Sequence, residues 1–509
     1  MIKISAFKCL PGAIATTRGV HEVAPDNGLL NWLIFSTATM TPSKNKVVWS
    51  LDDFTTLLFP TLPPEVVEEL NRPPHRARHH HYKLYYLEGK MFGVSLNNSD
   101  ADIYELAQYY PNDDEPETVE GIQEKANQLQ ATLEELGVKD PPSLSSPLAC
   151  LKNHDLMKSM EGSMPSILDL PEELMELMEV AYVCTPREWI SNFKIGHFPK
   201  LWKHDISSAF PAEAAKLPDL TECYIAEATE SEIMEAEAGF MIGDFTVFPD
   251  HPYAFCSPFM TVMDDGTPYN FVGTERNYRC SRADVKLLYE FGMGKFKFKK
   301  GWGIGWYEPK FPLANAMNVL FAMRGDNPLR SYLLKRGMNG IVGKFLETRK
   351  DAGDEVIDLG KNYNPLYHAM VTNPVRLKVF RALVEHGVTQ EELVHIGVDG
   401  FRSTRMLHLP GVAPLGGWRC AGSEPAFVLS PGSLVTHERA VRENRYNDLL
   451  EECTRRPTAR LLGRDPKSKI DVAKLFLHQN RDYHSFPRNA KDLLLKTFNS
   501  TPIRLGGKQ

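Results

Sequence analysis

The stretch that most limits what this chain can fold into is His204-Asp205-Ile206-Ser207-Ser208-Ala209-Phe210-Pro211, which follows the aromatic run Phe198-Pro199-Lys200-Leu201-Trp202. Apolar residues lead to an acid, and small hydroxyl residues and a proline then break the pattern. This predicts a buried strand that ends near Asp205 and passes through a turn into a helix. An Asp at the tip of a buried strand is a fixed negative charge, and the backbone N–H groups of the following turn suit a phosphate. Such a place can hold a metal ion and a triphosphate if the rest of the chain supplies partners.

The chain of 509 residues, 42% of them apolar, has material for about three domains with substantial cores. Its eight Cys are scattered without a Cys-x-x-Cys pair, and no secretory signal precedes them, so a reducing, cytoplasmic setting is expected, in a host cell if the gene is viral or plasmid-borne. No apolar run reaches membrane-spanning length. The formal net charge of −7 argues against a uniformly basic nucleic-acid binder, yet the charge is uneven. Residues 100–180 hold nineteen acids against four bases, and residues 401–509 hold nineteen bases against ten acids. The acidic region is a candidate docking surface for a protein partner, and the basic last fifth could bind phosphates. A solvated charged face is the plainer reading of both.

Residues 2–10 predict a first strand and Leu29–Phe35 a second, buried one. Val47–Trp49 and Leu84–Leu87 predict further strands around a helix from Pro64 to Asn71. Between them lies the basic cluster Arg76, Arg78 and His79-His80-His81; consecutive residues of an extended segment point to opposite faces, which disfavours a three-His metal site. A polar helix is expected over Gln123–Leu136. Asp140-Pro141-Pro142-Ser143-Leu144-Ser145-Ser146-Pro147 predicts a linker. Lys295-Phe296-Lys297-Phe298-Lys299 alternates with period two, a strand with one apolar and one cationic face, expected within a sheet around Asp205. Helical patterns follow over 313–321 and 329–345, broken at Gly325-Asp326-Asn327-Pro328. On the second of these helices Lys335 and Asn339 share a face, while Gly340 and Gly343 permit close approach of a backbone or a base pair. After a helix at Asn373–His386, the apolar strand Leu393–Val398 ends in Asp399-Gly400, a hairpin signal. Gly416–Arg419 and Ala426–Leu429 predict two paired strands.

Asp205-x-x-Ser208-x-Phe210-Pro211 resembles motif A of family B DNA polymerases, usually Asp-x-x-Ser-Leu-Tyr-Pro. Lys335-x-x-x-Asn339-Gly340-x-Val342-Gly343-Lys344-Phe345 is similar to motif B, Lys-x-x-x-Asn-Ser-x-Tyr-Gly, with Gly340 for the Ser and Val342 for the Tyr. Asp399-Gly400-Phe401 is similar to the end of motif C, Tyr-x-Asp-Thr-Asp-Ser, with Gly397 where the first Asp stands. In the other register, Asp399 matches that first Asp and Phe401 takes the ligand position. Phe35-Ser36-Thr37-Ala38-Thr39 resembles the exonuclease element Phe-Asp-x-Glu-Thr with both acids replaced; a buried strand running into a Ser/Thr-rich loop describes it equally well.

The resemblance implies a mixed α/β (α+β) chain with a degenerate RNase H-like domain followed by a right-hand polymerase. The segments would be 1–140 exonuclease-like, 141–204 linker and lead-in, 205–310 palm, 311–350 fingers, 351–430 palm and 431–509 thumb. It implies Asp205, Asp399 and Lys335 as catalytic residues, with two Mg²⁺ (or Mn²⁺) on the two carboxylates. Ser208, Phe210, Arg324, Lys335, Asn339 and Gly340 would bind the nucleotide, Phe210 as a steric gate against ribose. Lys344, Arg439, Arg442, Arg445, Arg455 and Arg456 would contact a DNA primer–template, and the substrates would be dNTPs. The implied activity is template-directed DNA synthesis without proofreading, as in a phage, plasmid or mobile-element enzyme. Two readings compete with it: a primer-making or template-independent nucleotidyltransferase, and a degenerate fold kept as a nucleic-acid-binding or assembly subunit.

Overall fold

The computed structural model describes residues 4–23, 28–39, 45–87, 90–96, 99–138, 141, 143–184, 189–194, 196–262, 268–350, 356–409, 415–430 and 433–455. Its contacts divide the chain into two units. One is Met1–Gly162 with Val319–Ile341 and Lys350–Ile357; the other is Ser163–Asn318 with Val342–Arg349 and Asp358–Gln509.

The first unit is built on an eight-stranded sheet. Its strands are β1 (Ile4–Leu10), β2 (Ala13–Thr16), β3 (Gly19–Glu22), β4 (Asn45–Val48), β5 (Arg76–His79), β6 (Tyr82–Leu87), β7 (Met91–Leu96) and β8 (Ser99–Glu105), in the order β3-β2-β1-β4-β8-β7-β6-β5. Strand β4 runs parallel to β1 and β8, and the other pairs are antiparallel. Parallel neighbours need crossovers, which α1 (Gly28–Thr39), α2 (Leu51–Leu58) and α3 (Pro64–Asn71) supply. The Arg76–His81 cluster is the edge strand β5 and its turn. Helix α4 (Val119–Glu135) lies against β1, with the Gln123 amide bonded to Ala6 N at 2.9 Å and to Ile4 O at 3.1 Å.

Two expectations fail in this unit. The run Leu29–Phe35 is helix, not strand: Leu29, Leu30, Leu33 and Ile34 are buried and Asn31 is exposed, the spacing of one helix face. A continuous apolar run carries no period that separates the two structures, and length alone decides. Phe35–Thr39 therefore closes a helix and is not the strand end that the exonuclease comparison requires. The expected linker is also packed. Leu144 is fully buried, and its carbonyl accepts from Tyr109 Oη at 2.7 Å and Gln108 Nε2 at 3.1 Å. The chain continues from it into α5 (Pro147–Cys150) and α6 (Asp155–Ser163).

The second unit opens with α7 (Glu172–Cys184), β9 (Ile190–Asn192), β10 (Gly196–Ile206) and α8 (Ala209–Ala214). Next come β11 (Tyr224–Glu227), α9 (Glu230–Glu235), β12 (Ala238–Val247), the small pair β13 (Met260–Val262) and β14 (Pro268–Asn270), β15 (Gly273–Ser281), α10 (Arg282–Glu290) and β16 (Gly294–Gly305). Helices α11 (Ala314–Met323) and α12 (Pro328–Gly343) pass through the first unit. The small pair β17 (Thr348–Lys350) and β18 (Val356–Leu359) follows, then α13 (Pro365–Glu385), β19 (Leu393–Gly397), β20 (Gly400–Ser403), β21 (Trp418–Ser430), β22 (Ser433–Thr436), α14 (His437–Arg442) and α15 (Tyr446–Arg455).

Two sheets organise this unit, a six-stranded one in the order β22-β21-β10-β20-β19-β9 and a four-stranded one in the order β11-β16-β12-β15. Both bury residues in one core: Ile206, Ile396, Phe401 and Trp418 from the first sheet meet Met241, Phe245 and Val247 from the second, with Phe380 and Leu383 of α13. The alternating Lys-Phe strand is β16. It lies in the four-stranded sheet, not in the sheet that carries Asp205, because its partners β11 and β12 come from the same 224–305 segment. Gly416–Arg419 and Ala426–Leu429 do not make two strands: one long strand, β21, runs through Trp418–Ser430 and pairs with β10 and with β22.

Candidate active site

The pairing of β10 with β20 sets the site. It is antiparallel, with Trp202 opposite Ser403 and Asp205 opposite Gly400, so the last acid of β10 lies beside the tip of the β19–β20 hairpin that carries Asp399. The Ile206 N–H donates to the Asp399 carbonyl at 2.9 Å, which ties the two segments together at the point where β10 ends. The hairpin turns at Val398-Asp399 instead of the expected Asp399-Gly400; Gly400 is the first residue of β20. It must be glycine for a reason of space. A Cβ there would lie 2.4 Å from the His204 carbonyl oxygen, 3.1 Å from Asp205 Cα and 3.2 Å from Asp205 Oδ1.

Two non-glycine residues flank this junction in the left-handed region, Ser208 at φ 48° and Val398 at φ 56°. The Asp399 N–H bonds back to the Gly397 carbonyl at 2.7 Å, and the Val398 N–H donates to the Trp189 carbonyl at 2.8 Å. Val398 is therefore the centre of a three-residue turn of the rare positive-φ kind, which for a β-branched residue costs about 1–3 kcal/mol. After β10, Ser207 exchanges backbone hydrogen bonds with Gly417 (2.8 Å) and Gly416 (2.7 Å), which hold the turn before α8 in place. Ser208 is buried at the cap of α8, and Phe210, in its first turn, is half-buried against the core.

The electrostatics centre on Asp205, which is 9% exposed. Arg419, opposite it on β21, donates to Oδ2 at 3.1 Å, and Lys203 Nζ stands 4.0 Å from the same oxygen. The neighbouring His204 packs its ring 4.9 Å from that of Phe401, and burial pushes its pKa down to about 4, so it brings no positive charge to the site at neutral pH. His395 Nδ1–H donates to Asn192 Oδ1 at 2.6 Å, and burial pushes its pKa down to about 3. Its other nitrogen would lie 2.7 Å from a Cβ at Gly397. An Asp side chain at 397, where the motif C resemblance asks for one, would have to displace that ring. Arg419 and the His395 ring are features that sequence reasoning did not single out, since both depend on strand register.

The remaining expected residues sit on other elements. Lys335 and Asn339 share a face of α12 and Arg324 precedes that helix, with its Nε donating to Ser331 Oγ at 3.0 Å. The Asn339 side-chain oxygen is buried without a hydrogen-bond partner. All three belong to the first unit, whereas Asp205, Asp399, Ser208, Phe210 and Lys344 belong to the second. The close neighbour at Gly340 is a side chain of the protein: a Cβ there would lie 2.7 Å from Leu148 Cδ2 of α5, while Gly343 has open space around it. Lys344 stands 3.7 Å from the Glu347 carboxylate. Of the C-terminal arginines, Arg439 and Arg445 both pair with Glu443, at 2.6 and 3.3 Å, and Arg442 is exposed. The Arg455 side chain and all of Arg456 lie outside the described residues.

No protein-family model matches the sequence, and no curated protein matches it. Solved structures do. The fold is similar to that of Phi29 DNA polymerase in its ternary complex with primer–template DNA and incoming nucleotide, at 11% identity and a TM-score of 0.55 over 86% of this chain and 87% of that one. Phi29 DNA polymerase with single-stranded DNA aligns at 11% identity and a TM-score of 0.54, over 85% and 87% of the two chains. The post-translocation binary complex with primer–template DNA gives 12% and 0.53 over the same shares. The chain thus has a mixed α/β fold of the kind seen in that family B polymerase.

Proposed function

We propose that this chain is a template-directed DNA polymerase whose site is the junction of β10 with the β19–β20 hairpin. The observation that carries the reading is the register of Asp205 opposite Gly400, which sets Asp205 at the end of β10 beside Asp399 in the β19–β20 turn, in a fold like that of Phi29 DNA polymerase. Mg²⁺ commonly rests on one or two carboxylates and completes its shell with substrate phosphates and water. Asp205 and Asp399 fit that donor set, and Asp205 already attracts two cations of the chain itself, Arg419 and Lys203. Bound there, two Mg²⁺ or Mn²⁺ ions would lower the pKa of a primer 3′-OH and neutralise the leaving pyrophosphate.

The other roles fall to the chain's own side chains. On the motif resemblance alone, Lys335 and Arg324 would bind the triphosphate and offset the charge that builds on it. Phe210, five residues past Asp205 on the first turn of α8, closes the space that a ribose 2′-OH would need. Arg419 releases Asp205 when the substrate arrives. Lys344 and the arginines of the last helices hold the DNA backbone in a salt-sensitive way. Absent proofreading is a separate proposal that Ser36 and Ala38 do not carry, because they close helix α1 and not the strand end that the comparison requires.

Extension of a labelled primer–template with Mg²⁺ or Mn²⁺ tests this. Wild-type protein should make template-directed products from dNTPs and not from rNTPs, and Asp205→Ala and Asp399→Ala should each abolish them. A mispaired labelled 3′ end should stay uncut. Products made without template or primer would favour a primer-making enzyme. Absence of extension, with DNA binding intact, would sink the polymerase reading.

A further inference from the structure

The four-stranded sheet has an open face that the proposed chemistry does not use. On β12, Met241, Phe245 and Val247 enter the core, so Asp244 and Thr246 look the other way. Strand β16 sets Lys295 opposite Thr246 and Lys297 opposite Asp244 on that same face. A bulge opposite Ile242 and Gly243 then interrupts the alternation, and Lys299 and Lys300 are both exposed. On the other side of β12, Thr274 pairs with Thr246 through their hydroxyls at 2.9 Å, and Arg276 is exposed beside Asn277, whose N–H donates to Asp244 Oδ1 at 3.2 Å. Lys299 pairs with Asp244, and Lys300 with Glu227 at 3.5 Å. Lys295, Lys297 and Arg276 have no ion-pair partner among the described residues.

Alternate residues on a strand repeat at about 6.8 Å, so Lys295 and Lys297 stand about that far apart on this face, with Lys299 beyond them at the bulge and Arg276 two strands away. A row of lysines without convergent hydrogen-bonding groups recognises regularly spaced anions. The aromatic residues of this face, Trp302 with Lys300 over its ring at 4.7 Å and Phe240 opposite it, are buried, so the face offers no exposed platform on which unpaired bases could stack. We propose that this face is a docking surface for the phosphate backbone of duplex DNA, separate from the Asp205–Asp399 site; the choice of DNA rests on the polymerase reading.

The test is fluorescence anisotropy of the full chain with a labelled DNA duplex and with the matching single strand, over a salt series. The proteins compared are wild type, Lys295→Gln/Lys297→Gln and Asp244→Asn. Losing two phosphate contacts should reduce the slope of log affinity against log salt by about 2 and weaken duplex binding roughly tenfold at moderate salt. Asp244→Asn removes the acid that lies opposite Lys297 and pairs with Lys299, and should tighten duplex binding several-fold. Exposed sheet positions tolerate Gln, and the opposite sign expected for Asp244→Asn separates charge from misfolding. Unchanged duplex affinity and slope in both face variants, or a loss confined to single strands, would overturn the proposal. Failure of primer extension with the charge dependence intact would count against the polymerase reading and leave this surface standing.

Discussion

At the scale of single residues, the site is fixed by what is absent as much as by what is present. Gly400 has no side chain because Asp205 and the His204 carbonyl occupy the space where one would go, and Val398 accepts a positive φ so that Asp399 can sit at the tip. Gly400→Ala should therefore separate β10 from β20 locally. A displacement of about 1 Å at a reacting group costs on the order of 100-fold in rate, and primer extension by this variant should fall by about that much, with its far-UV circular dichroism unchanged. A second expectation concerns pH. Burial pushes His368 to about 4 and His395 to about 3, against a normal value near 6.5. Both are bases with depressed folded-state pKa values, so the unfolded chain binds protons first. Their contribution is whole above about pH 6.5 and is lost as the pH falls through 4 to 3. Urea titrations at pH 7 and pH 5 should show lower stability at pH 5, and His368→Leu should flatten that difference. Asp205 and Asp399 were legible in the sequence because each closes an apolar run. The Arg419 contact and the His395 ring over Gly397 were not, because no local pattern records which strands become neighbours.

At the scale of elements, the legible ones were those with a single period and clear punctuation. Helix α3 covers Pro64–Asn71 as its proline and the four-residue spacing of Val66 and Leu70 suggest, and the Gly325–Pro328 break separates α11 from α12. Helix α1 was misread as a strand because seven nearly uniform apolar residues contain no period, and the packed 143–147 segment looked like a linker because Pro and Ser mask a buried Leu144. Helix α12 shows how an element's glycines mislead about partners. Gly340 and Gly343 look like a smooth surface for a ligand, yet Leu148 fills the place beside Gly340, and a Cβ at Gly337 would lie 3.0 Å from Leu151 Cδ1. Gly340→Val should destabilise the protein by about 1–3 kcal/mol through overpacking. Adding Leu148→Ala should recover most of that loss, and the coupling between the two changes can be read from urea midpoints in a double-mutant cycle.

At the scale of the whole molecule, the chain crosses between its two units five times, at 162/163, 318/319, 341/342, 349/350 and 357/358. An excursion of this kind is invisible to a reading that walks the sequence and assigns one domain per stretch, since helical periodicity says nothing about which unit receives a helix. What holds the second unit together is open to a direct test, because a buried ion pair joins α10 to α13. Arg376 donates to Asp284 Oδ1 at 2.6 Å, with side chains 6% and 1% exposed. Asp284 Oδ2 meanwhile caps its own helix, accepting from the Ser281 N–H at 2.9 Å and Oγ at 2.7 Å. Asp284→Asn keeps the shape but leaves the Arg376 guanidinium buried without a counter-charge, at a cost of about 3–5 kcal/mol. If each unit unfolds around its own core, hydrogen exchange should quicken in β12, α10 and α13 of this variant, while β1, β4 and β8 keep wild-type protection. Equal loss of protection in both sets of strands would mean that the five crossings bind the two units into one cooperative body.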